Sequence, residues 1–370
     1  MAIDARLLAY QQGGTATYIR GLLQGFRQVA GANDEVVVLV SRRDHQSRLM
    51  GPFRHYVVWT PCHHRFERWT LGAELRRLSV DVVHSPDFIP PARLGAAWAR
   101  VVTVHDLAFL RFPELLTAES RRYYGQVYRA VREADRIIAV SEATRRDILE
   151  LTGARAEKIA VIAEGVDPIL RTLPPDGSAR RLVERFGLDR PYFLFVGTLE
   201  PRKNLMRLIT AFGLFRQRTG PHGPLLALAG QRGWLVDDLD QAAAQLGDAV
   251  RFLGGVTRED LVALYDRAIA LVLVSLYEGF GLPALEAMAR GCPVVGANVA
   301  ALPEVIGDAG LLVEPTDVEG IAQALACLWD DPTLRRELGA RGRCRSSRFD
   351  WLTAARQTLA VYRQAMACGS

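Results

Sequence analysis

The chain has 370 residues, 49% of them hydrophobic and 24% charged, and a net charge of +5. That balance excludes a disordered or fibrous protein, and the length is more than one hydrophobic core usually organises, so two cores are expected. No stretch reaches the roughly 18 to 20 apolar residues of a membrane-spanning helix, and no charged segment followed by an apolar signal region opens the chain, which makes a cytoplasmic protein the expectation.

In chain order, short β-branched runs alternate with helical patterns, the signature of βα units on a parallel sheet and hence of an α/β fold. In the first half, strands are predicted at 3–6, 36–40, 56–59, 81–85, 101–105, 136–141 and 159–162, with helices at 15–29, 118–133 and 142–152, the last capped by Ser141. Proline, glycine and polar residues from Leu173 to Ser178 break the pattern and read as a linker. A second series follows, with strands at 192–196, 225–229, 250–253, 270–275, 293–296 and 310–313 and helices at 205–215, 258–265, 283–290 and 318–329. The segment 333–367 reads as two or three helices without a strand. The expected division is a first Rossmann-like domain over 1–172, a second over 173–349, and a terminal helix over 350–370 that packs back on the first.

Four motifs sit where strands give way to helices. Gly13-Gly14, preceded by Gln12, follows the first strand, where a tight turn or an approaching phosphate explains the pair equally well; it is no GxGxxG fingerprint, which leaves dinucleotide binding without support. His105-Asp106 ends a strand, at the edge where open α/β sheets bind ligands, and offers either a satisfied structural histidine or a contact to a sugar. His84 has a similar place and a weaker case. In Val196-Gly-Thr-Leu-Glu-Pro-Arg-Lys-Asn204, Gly197 leaves room and Arg202 with Lys203 can neutralise a leaving diphosphate. Only Lys158 and Lys203 are lysines among 46 basic residues, so the lysine at 203 points to a need for a compact ammonium. Glu278-Gly-Phe-Gly-Leu-Pro-Ala-Leu-Glu286 joins a buried strand to a helix start, a cradle for a diphosphate bracketed by two carboxylates suited to hydroxyl groups.

Asp238-Leu-Asp240 has the shape of a metal-binding pair but lies in an acidic surface stretch, and no other spacing suits a metal, so metal: none is the expectation. Cys62, Cys292, Cys327, Cys344 and Cys368 never form CxxC and read as reduced thiols, several of them buried. The pairs Arg121-Arg122 and Arg145-Arg146 are interleaved with acids as on a solvated helix face, which argues against a nucleic-acid partner.

Taken together, Gly13-Gly14, His105-Asp106, the 196–204 and 278–286 motifs and Leu302-Pro-Glu-Val-Ile-Gly-Asp-Ala-Gly310 resemble glycosyltransferase family four over essentially the whole chain. The resemblance implies a GT-B architecture, two Rossmann-like domains facing a central cleft with a C-terminal helix returning toward the first, and a retaining, metal-independent transfer from a nucleotide sugar that is substrate, with no cofactor. It implies that Arg202 and Lys203 hold the diphosphate, that Glu278 and the backbone at Gly197, Gly279, Phe280, Gly281 and Leu282 hold the donor, and that Glu286 holds the ribose. His105 would contact the sugar, Asp106 the sugar or an acceptor hydroxyl, and Gly14 would approach the phosphates from the first domain. Many members carry an arginine where this chain has Thr198, which leaves the division of labour between Arg202 and Lys203 open. The 104–113 and 197–204 stretches are similar to GDP-mannose-dependent mannosyltransferases of surface polysaccharide synthesis, with a carbohydrate or lipid-linked glycan as acceptor, polysaccharide biosynthesis as the setting and peripheral contact with the inner membrane face left open. Other donors (UDP-glucose, UDP-N-acetylglucosamine, dTDP-rhamnose), a sugar-nucleotide epimerase, a non-catalytic sugar-nucleotide-binding protein and, more distantly, a NAD-dependent dehydrogenase are the competing readings.

Overall fold

The computed structural model of the chain describes residues 1–9, 13–31, 34–43, 53–116, 118–172, 177–220, 222–234 and 237–367. Gln12, residues 173–176 of the expected linker and Cys368 lie outside them. Two compact units result, one of Met1–Gly165 with Asp350–Ser370 and one of Val166–Phe349.

Among the described residues, unit 1 holds the strands β1 (Ala2–Asp4), β2 (Val37–Ser41), β3 (Arg54–Val58), β4 (Val82–Ser85), β5 (Ala99–Val104), β6 (Arg136–Ala139) and β7 (Ile159–Val161). They pair in the order β3-β2-β1-β4-β5-β6-β7, every pair parallel. Unit 2 holds β8 (Tyr192–Val196), β9 (Leu225–Ala229), β10 (Val250–Gly254), β11 (Ala268–Leu273), β12 (Val294–Ala297) and β13 (Leu311–Val313) in the order β10-β9-β8-β11-β12-β13, again all parallel. A parallel strand covered by helices on both faces must be apolar throughout, and β2, β9 and β12 are buried at every position. In each sheet the chain reverses its direction of travel once, between β1 and β4 and between β8 and β11, and such switch points open a crevice at the carboxyl ends of the strands.

The first strand stops at Asp4 rather than running to residue 6, because Arg6 begins a 3-10 turn and folds its guanidinium back onto Asp4. The helix expected over 118–133 is two helices, Ala118–Tyr124 and Val127–Glu133. Tyr124 stacks on Phe109 with centroids 4.5 Å apart, Tyr123 bonds Asp87 and Val127 faces the core; between them the chain turns at Gly125-Gln126, where the Gln126 amide reaches back only three residues, to the Tyr123 carbonyl at 3.2 Å. The segment 333–367 forms two helices, Pro332–Ser346 and Trp351–Ala367. Among the described residues Cys292 is the buried thiol, while Cys62 is half-buried and Cys327 and Cys344 are exposed on helices, fewer buried than expected.

The passage from unit 1 to unit 2 falls at Gly165-Val166, seven residues before the expected boundary after 172. Residues beyond it are held by unit 2: Arg290 Nη1 donates to the carbonyls of Leu170 (3.1 Å) and Thr172 (2.6 Å), and Arg258 pairs with Asp167. The terminal helix Trp351–Ala367 packs along Gly14–Val29 of unit 1, so the chain leaves unit 1 and comes back to it.

Candidate active site

The two best-defined motifs meet at the switch point of unit 2, one after β8 and one after the neighbouring β11. Residues Pro201–Lys203 form a 3-10 turn that ends at Asn204, whose φ of +61° is left-handed and whose Nδ2 donates to the carbonyls of Val274 (2.9 Å) and Pro315 (2.6 Å). The Leu276 amide donates to the Arg202 carbonyl at 2.9 Å. These bonds lace the two loops together before any side-chain charge is considered.

The charges are then paired. Lys203 Nζ donates to Glu278 Oε1 at 2.7 Å, and Ser275 Oγ donates to the same oxygen at 2.6 Å. Arg202 Nη1 lies 3.4 Å from Glu278 Oε2 and donates to the Tyr277 carbonyl at 2.9 Å, while its Nη2 bonds Glu200 Oε1 at 2.7 Å. Glu200, Lys203 and Glu278 are all buried. Burial pushes the Glu278 pKa up, but the charges of Lys203 and Arg202 and the bonds from Lys203 and Ser275 outweigh it, so the carboxyl stays below its ordinary value and is ionised at neutral pH. Two cations and two carboxylates thus form a neutral, preorganised cluster. Glu200 and Ser275 belong to it and were not singled out in the sequence; Glu200 lay within a quoted motif and Ser275 was read only as the last residue of the predicted strand.

Gly281 has φ +98° and caps the helix Leu282–Arg290, with no side chain capping the helix start; a Cβ there would also lie 2.6 Å from Leu302 Cδ2. Gly197, at φ +151°, passes so close to Gly230 that a Cβ on the latter would fall 1.8 Å from the Gly197 carbonyl. Phe280 is buried, with its ring 5.9 Å from that of Phe349, and Gly279 precedes it in the same turn. Glu286 accepts from Tyr265 Oη at 2.9 Å, four residues along the helix from Leu282.

In unit 1 the helix Gly14–Val29 starts directly at the glycine pair, and a Cβ at Gly13 or Gly14 would meet nothing within 4 Å. His105 follows β5 and has both ring nitrogens engaged, Nε2 with the Pro86 carbonyl at 2.9 Å and Nδ1 with Glu164 Oε1 at 3.1 Å. Burial opposes its charge, yet Glu164, Asp87 and the Pro86 carbonyl raise its pKa above the ordinary value, as two acceptors facing two ring nitrogens require. Asp106 Oδ1 accepts from the Ala108 amide at 3.1 Å at the next helix start. His84 is a core residue: Tyr362 Oη lies 2.6 Å from Nδ1 and Thr103 Oγ1 2.8 Å from Nε2, and burial, with the charge of His105, pushes its pKa down to about 3. Glu164, the partner of His105, lies in no motif and had no signal in the sequence.

Asp240 is exposed and paired with Arg232 at 2.8 Å, as a solvent-facing reading of the 238–240 pair expects. Among the described residues, no group of three or more His, Cys, Asp and Glu side chains is arranged to hold a metal ion. Among them, too, no helix is long and apolar enough to cross a membrane.

Comparison with known proteins gives two adjoining matches: residues 12–169 fit the profile of Glycosyltransferase Family 4 and residues 180–345 that of Glycosyl transferases group 1. The chain is 35% identical over 308 residues to O-antigen chain mannosyltransferase B of Escherichia coli, covering 81% of this chain and 78% of that protein. It is 35% identical over 314 residues to a glycogen synthase of Mycobacterium tuberculosis, covering 79% and 72%. Among solved structures, Anabaena HepE in complex with UDP-glucose aligns with a TM-score of 0.77 at 20% identity, over 98% of this chain and 99% of that one.

Proposed function

From the premise that the chain belongs to glycosyltransferase family 4 and is a hexosyltransferase, we propose that it moves mannose from GDP-mannose to a glycan or lipid-linked glycan, with retention of configuration and without a metal. The observation that carries the reading is the Glu200-Arg202-Lys203-Glu278 cluster at the carboxyl ends of β8 and β11. Cleavage of the bond from the sugar C1 to the diphosphate leaves negative charge on phosphate oxygens, and preorganised cations stabilise that charge more than they stabilise the intact donor. Arg202 and Lys203 supply them; Glu278 keeps both in position and accepts hydrogen bonds from sugar hydroxyls, while Glu286 takes the ribose.

Both carboxylates nearest the cations are tied to them, which favours a reaction without a carboxylate nucleophile. The acceptor oxygen bonds to C1 on the face the diphosphate leaves, and its proton passes to a phosphate oxygen. In unit 1, His105 is held by Glu164 and the Pro86 carbonyl, with Asp106 shaping the adjacent helix start. The choice of mannose rests on the match to mannosyltransferase B; the equally identical glycogen synthase supports a glucosyl donor as the second reading.

The test is thermal stabilisation of the chain by GDP-mannose, UDP-glucose, UDP-N-acetylglucosamine, dTDP-rhamnose and NAD in the presence of EDTA, since a ligand at about 100 times its Kd stabilises by roughly 2.7 kcal/mol. A selective shift with GDP-mannose is expected. A selective shift with another sugar nucleotide replaces the donor, and a response to NAD alone overturns the reading.

A further inference from the structure

Unit 1 carries a second constellation at the carboxyl edge of its sheet that the reading above leaves unused. His63 lies in the loop after β3 and Asp87 in the loop after β4, the latter strand bordering the β1/β4 switch point. His63 Nε2 is 3.3 Å from Asp87 Oδ2; the same oxygen accepts from Tyr123 Oη at 3.2 Å, and Oδ1 accepts from the Phe88 amide at 2.7 Å. The Tyr123 ring lies 4.7 Å from the imidazole, centroid to centroid.

The backbone of His63 is fixed as firmly as its ring. Its amide donates to Glu67 Oε2 at 2.7 Å, and the other oxygen of that carboxylate accepts from the fully buried Arg6 at 2.7 Å. This anchoring holds His63 at φ +60°, a region that a non-glycine residue occupies at an energetic cost and that recurs at functional sites. With Nε2 facing a carboxylate, the proton sits there and Nδ1 presents a lone pair. Among the described residues Nδ1 has no hydrogen-bond partner, and the side chain is 39% exposed. The half-exposed Phe66 and the more exposed Trp59 on the same loop carry the guanidinium groups of Arg65 and Arg42 over their rings, 4.3 and 4.9 Å from the centroids.

We propose that His63, oriented by Asp87, accepts a hydrogen bond at Nδ1 from a hydroxyl of the acceptor sugar, so that this pair is an acceptor-binding element of unit 1; the proposal rests on the glycosyl-transfer reading. Asp87 is then a positioning residue. The groups that act on the imidazole are Asp87 and Glu67, which favour its cation, and Arg6, which opposes it; His105 acts in turn on Asp87. The bond to Asp87 lifts His63 above the ordinary histidine value despite partial burial. Below that raised value Nδ1 is protonated and donates instead of accepting, so acceptor binding improves as pH rises through it.

The experiment measures release of the nucleoside diphosphate from whichever donor of the panel the chain turns over, with p-nitrophenyl α-mannoside and mannotriose as acceptors, between pH 5.5 and 8.5. His63→Asn keeps a residue that tolerates positive φ while removing the imidazole. It is expected to raise the acceptor KM at least about tenfold with donor Kd unchanged within about twofold, and to flatten the acid limb of the acceptor KM profile. Asp87→Asn withdraws the charge that lifts His63 and is expected to move that limb, and the His63 ring signal in an NMR titration, to lower pH. Unchanged acceptor KM and pH profile in both variants, with melting temperatures intact, overturn the proposal while leaving the transferase standing. Donor turnover absent from the unaltered chain with every donor overturns the transferase reading, and the proposal falls with it.

Discussion

At the scale of single residues, Lys203 and Glu278 show how two buried charges are kept paired in a folded chain. Each stands out in the sequence through its motif, but their pairing with each other does not, because 75 positions separate them and no local spacing encodes the contact. Removing one member of a buried ion pair strands the other, a loss of about 3 kcal/mol or more where no second cation helps. Here Arg202 remains near Glu278, so Lys203→Met is expected to cost roughly 2 to 3 kcal/mol, read as a fall in the denaturation midpoint. Adding Glu278→Gln removes the stranded charge and is expected to restore more than half of that loss. Turnover should stay down at least about tenfold in both variants, since about 1.4 kcal/mol of transition-state stabilisation is enough for that factor. A double variant that recovers activity along with stability would show the pair to be a fold element alone. The pH dependence has a definite sign: a depressed carboxyl contributes stability above its unfolded pKa and loses it as pH falls through the folded one, so the wild-type chain gains from Glu278 at neutral pH and not in strong acid. His63 and Asp87 were not legible at all, because they come from two different loops and neither has a neighbour in sequence that marks it.

At the scale of elements, what the sequence reveals depends on whether the signals at an element's ends are local. The helix Glu142–Thr152 was read to the residue because Ser141 Oγ accepts from the Thr144 amide at 3.0 Å and Gly153, at φ +67°, ends it. The helix Glu67–Leu75 was missed, since Gly72 interrupts its pattern; that glycine is there for a tertiary reason, as a Cβ on it would lie 2.2 Å from the Ala92 carbonyl. Ser178–Phe186 was missed because the buried Leu182 and Phe186 are surrounded by arginines and glutamate. Gly281 is the case in which local and tertiary demands coincide. Gly281→Ala imposes both a left-handed φ on a residue with a Cβ and a contact with Leu302 Cδ2, for an expected loss of roughly 1 to 3 kcal/mol. Shortening the neighbour in Gly281→Ala with Leu302→Ala relieves the contact but not the dihedral, so donor-induced thermal stabilisation should stay weakened in both. Full donor response in the single variant would mean that the helix start does not need this turn to meet its ligand.

At the scale of the whole molecule, the pattern of alternating strands and helices was enough to place both sheets, while the point at which the chain passes between units was not. Residues 166–172 read in sequence as the end of the first domain, because what holds them to unit 2, the Leu170 and Thr172 carbonyls on Arg290 and Asp167 on Arg258, is encoded in no local pattern. The return of the terminal helix has a consequence for unit 1. Trp351 is buried, and Gly21, Gly25 and Gly165 make room for it: a Cβ on Gly21 would fall 2.0 Å from its ring, one on Gly25 2.3 Å from its carbonyl and one on Gly165 2.5 Å from its amide. Further along the same helix Tyr362 reaches His84 in the sheet. The core of unit 1 is therefore finished only by residues that follow all of unit 2, whereas the core of unit 2 is continuous in sequence. Trp351→Ala opens a cavity at this seam, and a buried tryptophan cut to alanine costs about 3 to 5 kcal/mol. Hydrogen exchange should then quicken in β1, β4, β5 and the helix Gly14–Val29, while β8, β9 and β11 keep their protection, because the lost contacts lie wholly within unit 1. Equal loss of protection in both sheets would mean that the two units unfold as one and that the returning helix stabilises the whole chain rather than the unit it completes.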